Sequence, residues 1–368
     1  MKHLLLLGGG HAHIEVLRLF ALQPVEGWRI TLVSPFPRFI YSGMLPGVVA
    51  GHYALDDCAI DLATLCQRAN AKYRRASASL VDPGRREVTF TDAGSLPYDL
   101  LSLDIGGKTA GTDTRGVAHN AVVIRPLELA AEAWKKVLSR VSKGSVGSVT
   151  LVGAGAAGIE LALAMDHRLK TDFGDHAPHV RVLGDKDPLA EIPRDARDML
   201  VACVRKHGIG LHTGTAVSEV GADFVQLEGG LQFASDATFW TAGTAPPDLA
   251  RDSGFATDER GFFLTNDFLQ STSHADVFAA GDCATRQGRG LPKAGVFAVR
   301  AAPTLAANLR AAMTGAPIVA HRTGRRYLAL ISTGGRNAVG FWNGFAWDGA
   351  WAWRWKDRID RRFVAKYA

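Results

Sequence analysis

Apolar positions in the 368-residue chain fall into short unbroken runs and helical stripes, and this pattern predicts an α/β fold. His3–Leu7 is a short continuous apolar run, as in a strand buried on both faces. Apolar residues then recur at helical spacing through His13–Leu22 (Ile14, Leu17, and Phe20 or Ala21), and Trp28–Val33 is a second apolar strand. Strand, glycine turn, helix and strand make a βαβ unit and imply a parallel sheet. The same unit recurs about 145 residues later: Ser148–Val152 as strand, Gly153–Gly158 as turn, Ile159–Leu169 as helix and Val180–Leu183 as strand. Two copies this far apart point to two nucleotide-binding domains rather than a short-period solenoid.

Between the copies, Gly84–Phe90 and Tyr98–Ile105 predict strand, turn and strand, and Gly106–Gly116 a connector. Val217–Gly221, Phe224–Glu228 and Ala237–Trp240 predict a meander, and Gly295–Met313 a helix that Pro303 kinks or divides. The length agrees with two domains, because single cores stop growing near ~250–300 residues. Met1–Leu7 imitates the start of a signal peptide, but Gly8–Glu15 breaks the apolar region where a cleavage site would fall. A buried strand is expected there. No apolar run approaches the ~18–20 residues of a spanning helix. Four Cys with no CxxC or zinc-like spacing point to a reducing, cytoplasmic setting. No Ser/His/Asp or His/Glu cluster suggests hydrolysis or a metal.

Candidate chemistry lies in three segments. Gly8-Gly9-Gly10-His11-Ala12-His13 joins a strand to a helix, where glycines let a pyrophosphate approach and the helix N-terminus offers free N–H groups. His13 stands in place of the third glycine of G-x-G-x-x-G, and Ser34 stands where an acid would end the second strand. A merely glycine-rich turn stays open as the alternative. Gly153-Ala154-Gly155-Ala156-Ala157-Gly158 is complete, follows an apolar strand and opens a helix bearing Glu160, which makes the motif specific. Its acid, Asp185, is offset by one residue, and no Arg is placed for a 2′-phosphate, so NADH and NADPH both stay open. Finally, Asp276–Asp282 (DVFAAGD) delivers Asp282 at the carboxyl end of an apolar strand, where open α/β sheets bind ligands.

Together these residues resemble the pyridine nucleotide–disulfide oxidoreductase superfamily, in motif order and rough spacing, over nearly the whole chain. The resemblance implies an α/β fold of two Rossmann-like dinucleotide-binding domains. An FAD domain (1–110 and 265–325) would hold an inserted NAD(P) domain (111–264), followed by a small aromatic and basic C-terminal segment (326–368). It implies FAD as cofactor and NAD(P)H as electron donor. It places Gly8, Gly10 and His13 at the FAD pyrophosphate, Asp282 on the ribityl chain, and Gly153, Gly155, Gly158 and Glu160 around the nicotinamide cofactor. Asp104–Gly107 and Thr241–Thr244 look like the family's two crossover strands. Further cofactor-binding candidates are His11, Ser34, Pro35, Arg38, Ser42, Gly106, Asp185, Gly243, Gly281, Gly295 and Val296.

Disulfide reductases of this family carry a redox Cys pair after the second strand, and here Tyr41–Gly47 (YSGMLPG) has none. Cys58, Cys66 and Cys203 read as small buried hydrophobes, and Cys283 has no partner in the sequence. A sulfide:quinone reductase is therefore weakly supported. What remains is similar to the type II NADH:quinone oxidoreductase branch, nearest to the variant found alone or fused to selenide, water dikinase. GGGHAH (8–13), YSGMLPGVVAGHY (41–53), PKAGVFAVR (292–300) and WRWKDRIDRRF (353–363) carry that likeness. It implies hydride transfer from NAD(P)H to FAD, then electron transfer to a quinone-like acceptor. The alternatives are a soluble acceptor, such as a redox protein or a selenium metabolite, and a non-catalytic dinucleotide-binding sensor. The candidate catalytic residues are Lys293, Tyr41 and Glu160. Lys293 would add charge to a helix N-terminus near Gly295, at the edge of the reduced flavin. Tyr41 would stack or touch the acceptor, and Glu160 would orient the nicotinamide.

Charge sharpens one segment. From Arg322 onward ten Lys/Arg face three Asp, whereas the first 321 residues hold 32 basic and 33 acidic side chains. A basic nucleic-acid-binding body is disfavoured. Five of the eight Trp lie at or after Trp342, and in a helix Trp351, Trp355, Ile359, Phe363 and Tyr367 would form one stripe with basic residues around it. A membrane surface, on the inner membrane face, is one expected partner of that stripe. Packing on the body, or a homodimer, is the other.

Overall fold

The computed structural model describes all 368 residues. Two parallel five-stranded sheets organise it. The first runs Val277–Ala279, Leu100–Leu103, Lys2–Leu7, Trp28–Ser34, Lys72–Arg75, with the N-terminal strand in the middle. Leu4 to Leu7 are at most 1% exposed, which explains why this run has no polar face. The helices His11–Leu22 and Gly295–Thr314 pack together on this sheet.

The second sheet runs Ala121–Val123, Ala237–Trp240, Ser148–Val152, His179–Gly184, Gly210–Thr213. All its strands lie between residues 121 and 240, whereas the first sheet draws on both sides of that stretch. The second unit is thus an insertion in the first. The two connections pair antiparallel, Lys108 with Ala245 and Thr109 with Thr244.

Several expectations need correction. Ala237–Trp240 does not finish a meander. All four residues are buried, and the strand takes a place inside the parallel sheet. The meander is Val217–Val220, Phe224–Leu227 and Gln232–Ala234. Glu87–Phe90 and Leu100–Leu103 likewise part company, the first into an antiparallel sheet with Ala78–Asp82 and Ser95–Pro97. Pro303 does not divide its helix, which runs unbroken from Gly295 to Thr314. Pro303 is exposed, so its missing N–H costs one bond while the buried face stays whole.

The C-terminal segment forms an antiparallel sheet (Ala329–Ser332, Ala338–Trp342, Phe345–Gly349) and a helix, Ala350–Ala365. Ile331, Val339 and Phe341 join the core of the inserted unit. Phe363, Val364 and Tyr367 pack on the core beneath the first sheet. The tail therefore ties the two units together, and the aromatic stripe divides. Tyr367 is buried and donates a hydrogen bond to Glu15, whereas Trp351, Trp355 and Ile359 are 40–50% exposed. Lys356 leaves the basic rim altogether and is buried against Asp360 at 2.6 Å. No helix is long and apolar enough to cross a membrane.

Candidate dinucleotide site

A groove of about 920 Å³ opens at the carboxyl ends of the first sheet's strands. Its wall includes Gly8–His11, Ser34, Pro35, Arg38, Ser42, Gly106, Arg125, Gly281, Asp282 and Gly295. Most of the residues expected to hold FAD thus converge on one groove, His13 and Val296 being outside its wall. Gly8 has φ +92°, and a Cβ there would come within 2.3 Å of the Asp104 carbonyl oxygen. Gly10 has no room either, because a Cβ would lie 2.5 Å from the Asp104 carboxylate. The turn is held from behind by His13, whose imidazole is fully buried. Its Nδ1 donates to the Gly8 carbonyl at 2.6 Å, and Nε2 accepts from Ser102 Oγ at 2.8 Å. Burial pushes its pKa down to about 4, so the ring stays neutral. His13 is therefore a brace under the turn and not part of the groove wall.

The main surprise is Asp104. Its Oδ2 accepts from the N–H groups of Ala12 (2.7 Å) and His13 (3.1 Å), so a carboxylate occupies part of the helix N-terminus expected to face a phosphate. Burial pushes this carboxyl up to about 7, against the pull of the two N–H groups, and Asp282 raises it further. Asp282 is paired with Arg125 at 3.1 Å. Neither Asp104 nor Arg125 was singled out as a site residue from sequence. Asp104 had a usable signal: a charge ending a buried strand directly before Ile105-Gly106-Gly107.

The groove fits an extended dinucleotide. Its volume lies in the range of cofactor sites, the Gly8–Gly10 turn forms part of its wall, and His11 offers a buried Nε2 with no protein partner. Burial lowers the pKa of His11 to about 4, leaving a neutral ring set against Phe39 at 4.7 Å.

The three catalytic candidates do not line this groove. Lys293 donates to the Ala284 carbonyl (2.6 Å) and Thr285 Oγ1 (2.9 Å) and lies over the Phe262 ring. The positive pole at the groove is instead the start of the Gly295–Thr314 helix. Val296 shares that first turn but is not in the wall. Tyr41 stacks on Phe363 at 4.2 Å and is pushed above its usual pKa by burial. Glu160 Oε1 accepts from the Ser332 N–H (2.7 Å) and Ser332 Oγ (2.9 Å), so its oxygen points at the tail sheet. Burial lifts Glu160 above the ordinary carboxylate range, against the pull of Lys356. Burial opposes the Lys356 charge, but Asp360 and Glu160 outweigh it and hold the ammonium protonated. Tyr41, Glu160, Lys356 and Asp360 thus form one polar group beside Ser42 and His11.

In the inserted unit, Gly153 has φ +121°, and Gly158 sits so close that a Cβ would lie 1.9 Å from the Gly153 carbonyl oxygen. Thr241 Oγ1 donates to the carbonyl of Val152 at 3.0 Å. Gly155 and Gly243 lie on the two segments meeting at this turn, and Asp185 is exposed just past the second strand. The four cysteines are free. Cys58, Cys66 and Cys283 are at most 1% exposed, and burial pushes each thiol up to about 12. A thiolate at neutral pH is unavailable at all three.

Two glycine turns, each joining a parallel strand to a helix and one sheet inserted in the other, define a two-domain dinucleotide oxidoreductase. The family model described as pyridine nucleotide-disulphide oxidoreductase matches residues 2–303, and the chain belongs to that family. Among relatives, a probable NADH dehydrogenase of Dictyostelium discoideum is 25% identical over 330 residues, covering 83% of this chain and 72% of that protein. The demethylphylloquinone reductase NdbB of Synechocystis is 27% identical over 332 residues, covering 85% and 80%. In fold, the chain is similar to the sulfide:quinone oxidoreductase of Aquifex aeolicus (TM-score 0.83, 20% identity, covering 100% of this chain and 91% of that one). It is also similar to NDH2 of Plasmodium falciparum in complex with NADH (TM-score 0.82, 14% identity, covering 100% and 97%).

Proposed function

We infer that this chain is an FAD-dependent oxidoreductase that oxidises NAD(P)H and passes the electrons to a quinone-like acceptor without redox cysteines. The observation that carries the reading is the pair of glycine turns on two nested parallel sheets, together with the deep burial of Cys58, Cys66 and Cys283. When bound, FAD supplies the hydride acceptor and the electron relay. The protein's part is placement and charge. Gly8 and Gly10, in the groove wall, would receive the pyrophosphate, and Asp282, held by Arg125, would bind the polyol chain. The N-terminus of Gly295–Thr314 provides positive potential where negative charge gathers on reduction. Gly153, Gly155 and Gly158 receive the nicotinamide dinucleotide. Burial raises the Glu160 carboxyl above its ordinary value, and the Lys356 ammonium draws it back down.

The acceptor is met at a membrane surface. Trp347, Trp351 and Trp355 stack at 6.0–6.4 Å between ring centroids, and Trp342 and Phe345 nearby are 53% and 72% exposed. Arg354, Arg358, Arg361 and Arg362 lie exposed on the same helix. Aromatic rings beside arginines suit the lipid headgroup layer. Trp351→Ser combined with Trp355→Ser is expected to slow NAD(P)H oxidation by vesicle-embedded ubiquinone about tenfold, the effect of ~1.4 kcal/mol of lost membrane binding. A water-soluble quinone should be reduced at the wild-type rate. Equal slowing with both quinones would remove the membrane contact, and no turnover with either would remove the acceptor class.

A further inference from the structure

Beyond Gly281 and Asp282, on the side away from the dinucleotide groove, lies a second cavity of about 70 Å³, walled by Arg286, Arg289, Lys293, Phe297 and His321. Arg286 is only 7% exposed. Its Nη1 donates to the His321 carbonyl, while Nε and Nη2 have no hydrogen-bond partner in the protein. The nearest carboxylate, Asp267, stands 3.6 Å from Arg286 and 3.7 Å from Arg289, and its own side chain is 54% exposed. Lys293 brings a third positive charge, with Asp258 as its neighbour. Asp282 reaches this wall too, but its carboxylate is committed to Arg125. Burial and the two arginines push His321 down to about 4, so its ring adds no charge.

Arg286 and Arg289 thus share one half-exposed acid at this cavity, with Lys293 as a third cation beside them. A buried guanidinium with unmet donors is costly, and the partner it lacks is an anion with several oxygens. The planar fork of Arg286 matches two oxygens of such an ion, and Arg289 can take a third. One water needs roughly 10–15 Å³ of such space, so the cavity holds about five heavy atoms. We propose that this cavity binds a small tetrahedral oxyanion of the phosphate class, gripped by Arg286 and Arg289. The ion can arrive free or as the phosphoryl group of a larger metabolite.

Equilibrium dialysis of the full chain with inorganic phosphate and, separately, with glycerol 3-phosphate tests this at constant ionic strength. Each is run with and without excess FAD, which competes for the pyrophosphate turn. At least one of the two probes is expected to bind in the presence of FAD. Arg289→Ala, at a half-exposed position that leaves the core untouched, should weaken that binding about tenfold, and Arg286→Gln should abolish it. Phosphate binding without glycerol 3-phosphate binding identifies a free ion, and binding of both identifies a phosphoryl group. Binding of neither probe, displacement by FAD, or unchanged binding in Arg289→Ala overturns the proposal.

Discussion

Gly158→Val is expected to lower the rate of flavin reduction by NAD(P)H about 100-fold while leaving the protein yellow. Even a methyl group at this position would lie 1.9 Å from the Gly153 carbonyl oxygen and 2.8 Å from Thr241 Oγ1. Backbone must move, because the obstruction is not the end of a flexible side chain. The helix Ala156–Phe173 then shifts off the turn that should receive the nicotinamide dinucleotide. A displacement of about 1 Å is enough to cost ~100-fold in a reaction that depends on alignment. The flavin groove is built on the other sheet, so FAD content is expected to hold. Rapid-mixing absorbance, with flavin quantified beforehand, gives both numbers. A rate within about threefold of wild type would show that the second glycine turn does not seat the donor.

The second large effect concerns Asp104. Its folded pKa is raised to about 7, whereas an unfolded Asp titrates near ~3.9. Folding therefore favours the protonated form. The stability this gives is fully present below about pH 4 and is lost as pH rises toward about 7. A dinucleotide pyrophosphate approaching the same helix N-terminus adds negative charge and strengthens the hold on that proton. FAD affinity should consequently fall above pH 7, by up to about tenfold per pH unit. His11 and His13 are already neutral across this range, so neither can produce the slope. Asp104→Asn keeps an oxygen to accept the Ala12 and His13 N–H groups but carries no charge. Fluorescence titration of the apoprotein with FAD between pH 6.5 and 8.5, values spanning the ~7 midpoint, should show the wild-type slope and a flat variant. Parallel slopes would clear Asp104 of the role.

What was legible in the sequence was local. Leu4–Leu7, the glycine turns and the strand before Asp282 are each specified within about ten residues, since buried parallel strands and phosphate turns impose their pattern on neighbours. The failures are long-range. Ala237–Trp240 looks like one more strand of a meander until the chain brings it between Ala121–Val123 and Ser148–Val152. Glu160 reads from its motif alone, and nothing nearby in the sequence signals that its Oε1 is bonded to Ser332, 172 residues on. Lys356 reads as one cation among many on the tail, and only the fold buries it against Asp360 and the Gly43 carbonyl. Asp104 depends on contacts with residues 91 and 92 positions away. The aromatic stripe was legible as a stripe, but its division into an exposed and a buried half follows from where the first sheet's core ends.

The most direct measurement is anaerobic titration of the purified, FAD-loaded protein with NADH and with NADPH, followed through the visible flavin absorption. At least one donor is expected to bleach the band stoichiometrically, and a quinone added afterwards to restore it. A protein that takes up no FAD, or whose bound flavin stays oxidised with both donors, would contradict the proposed function.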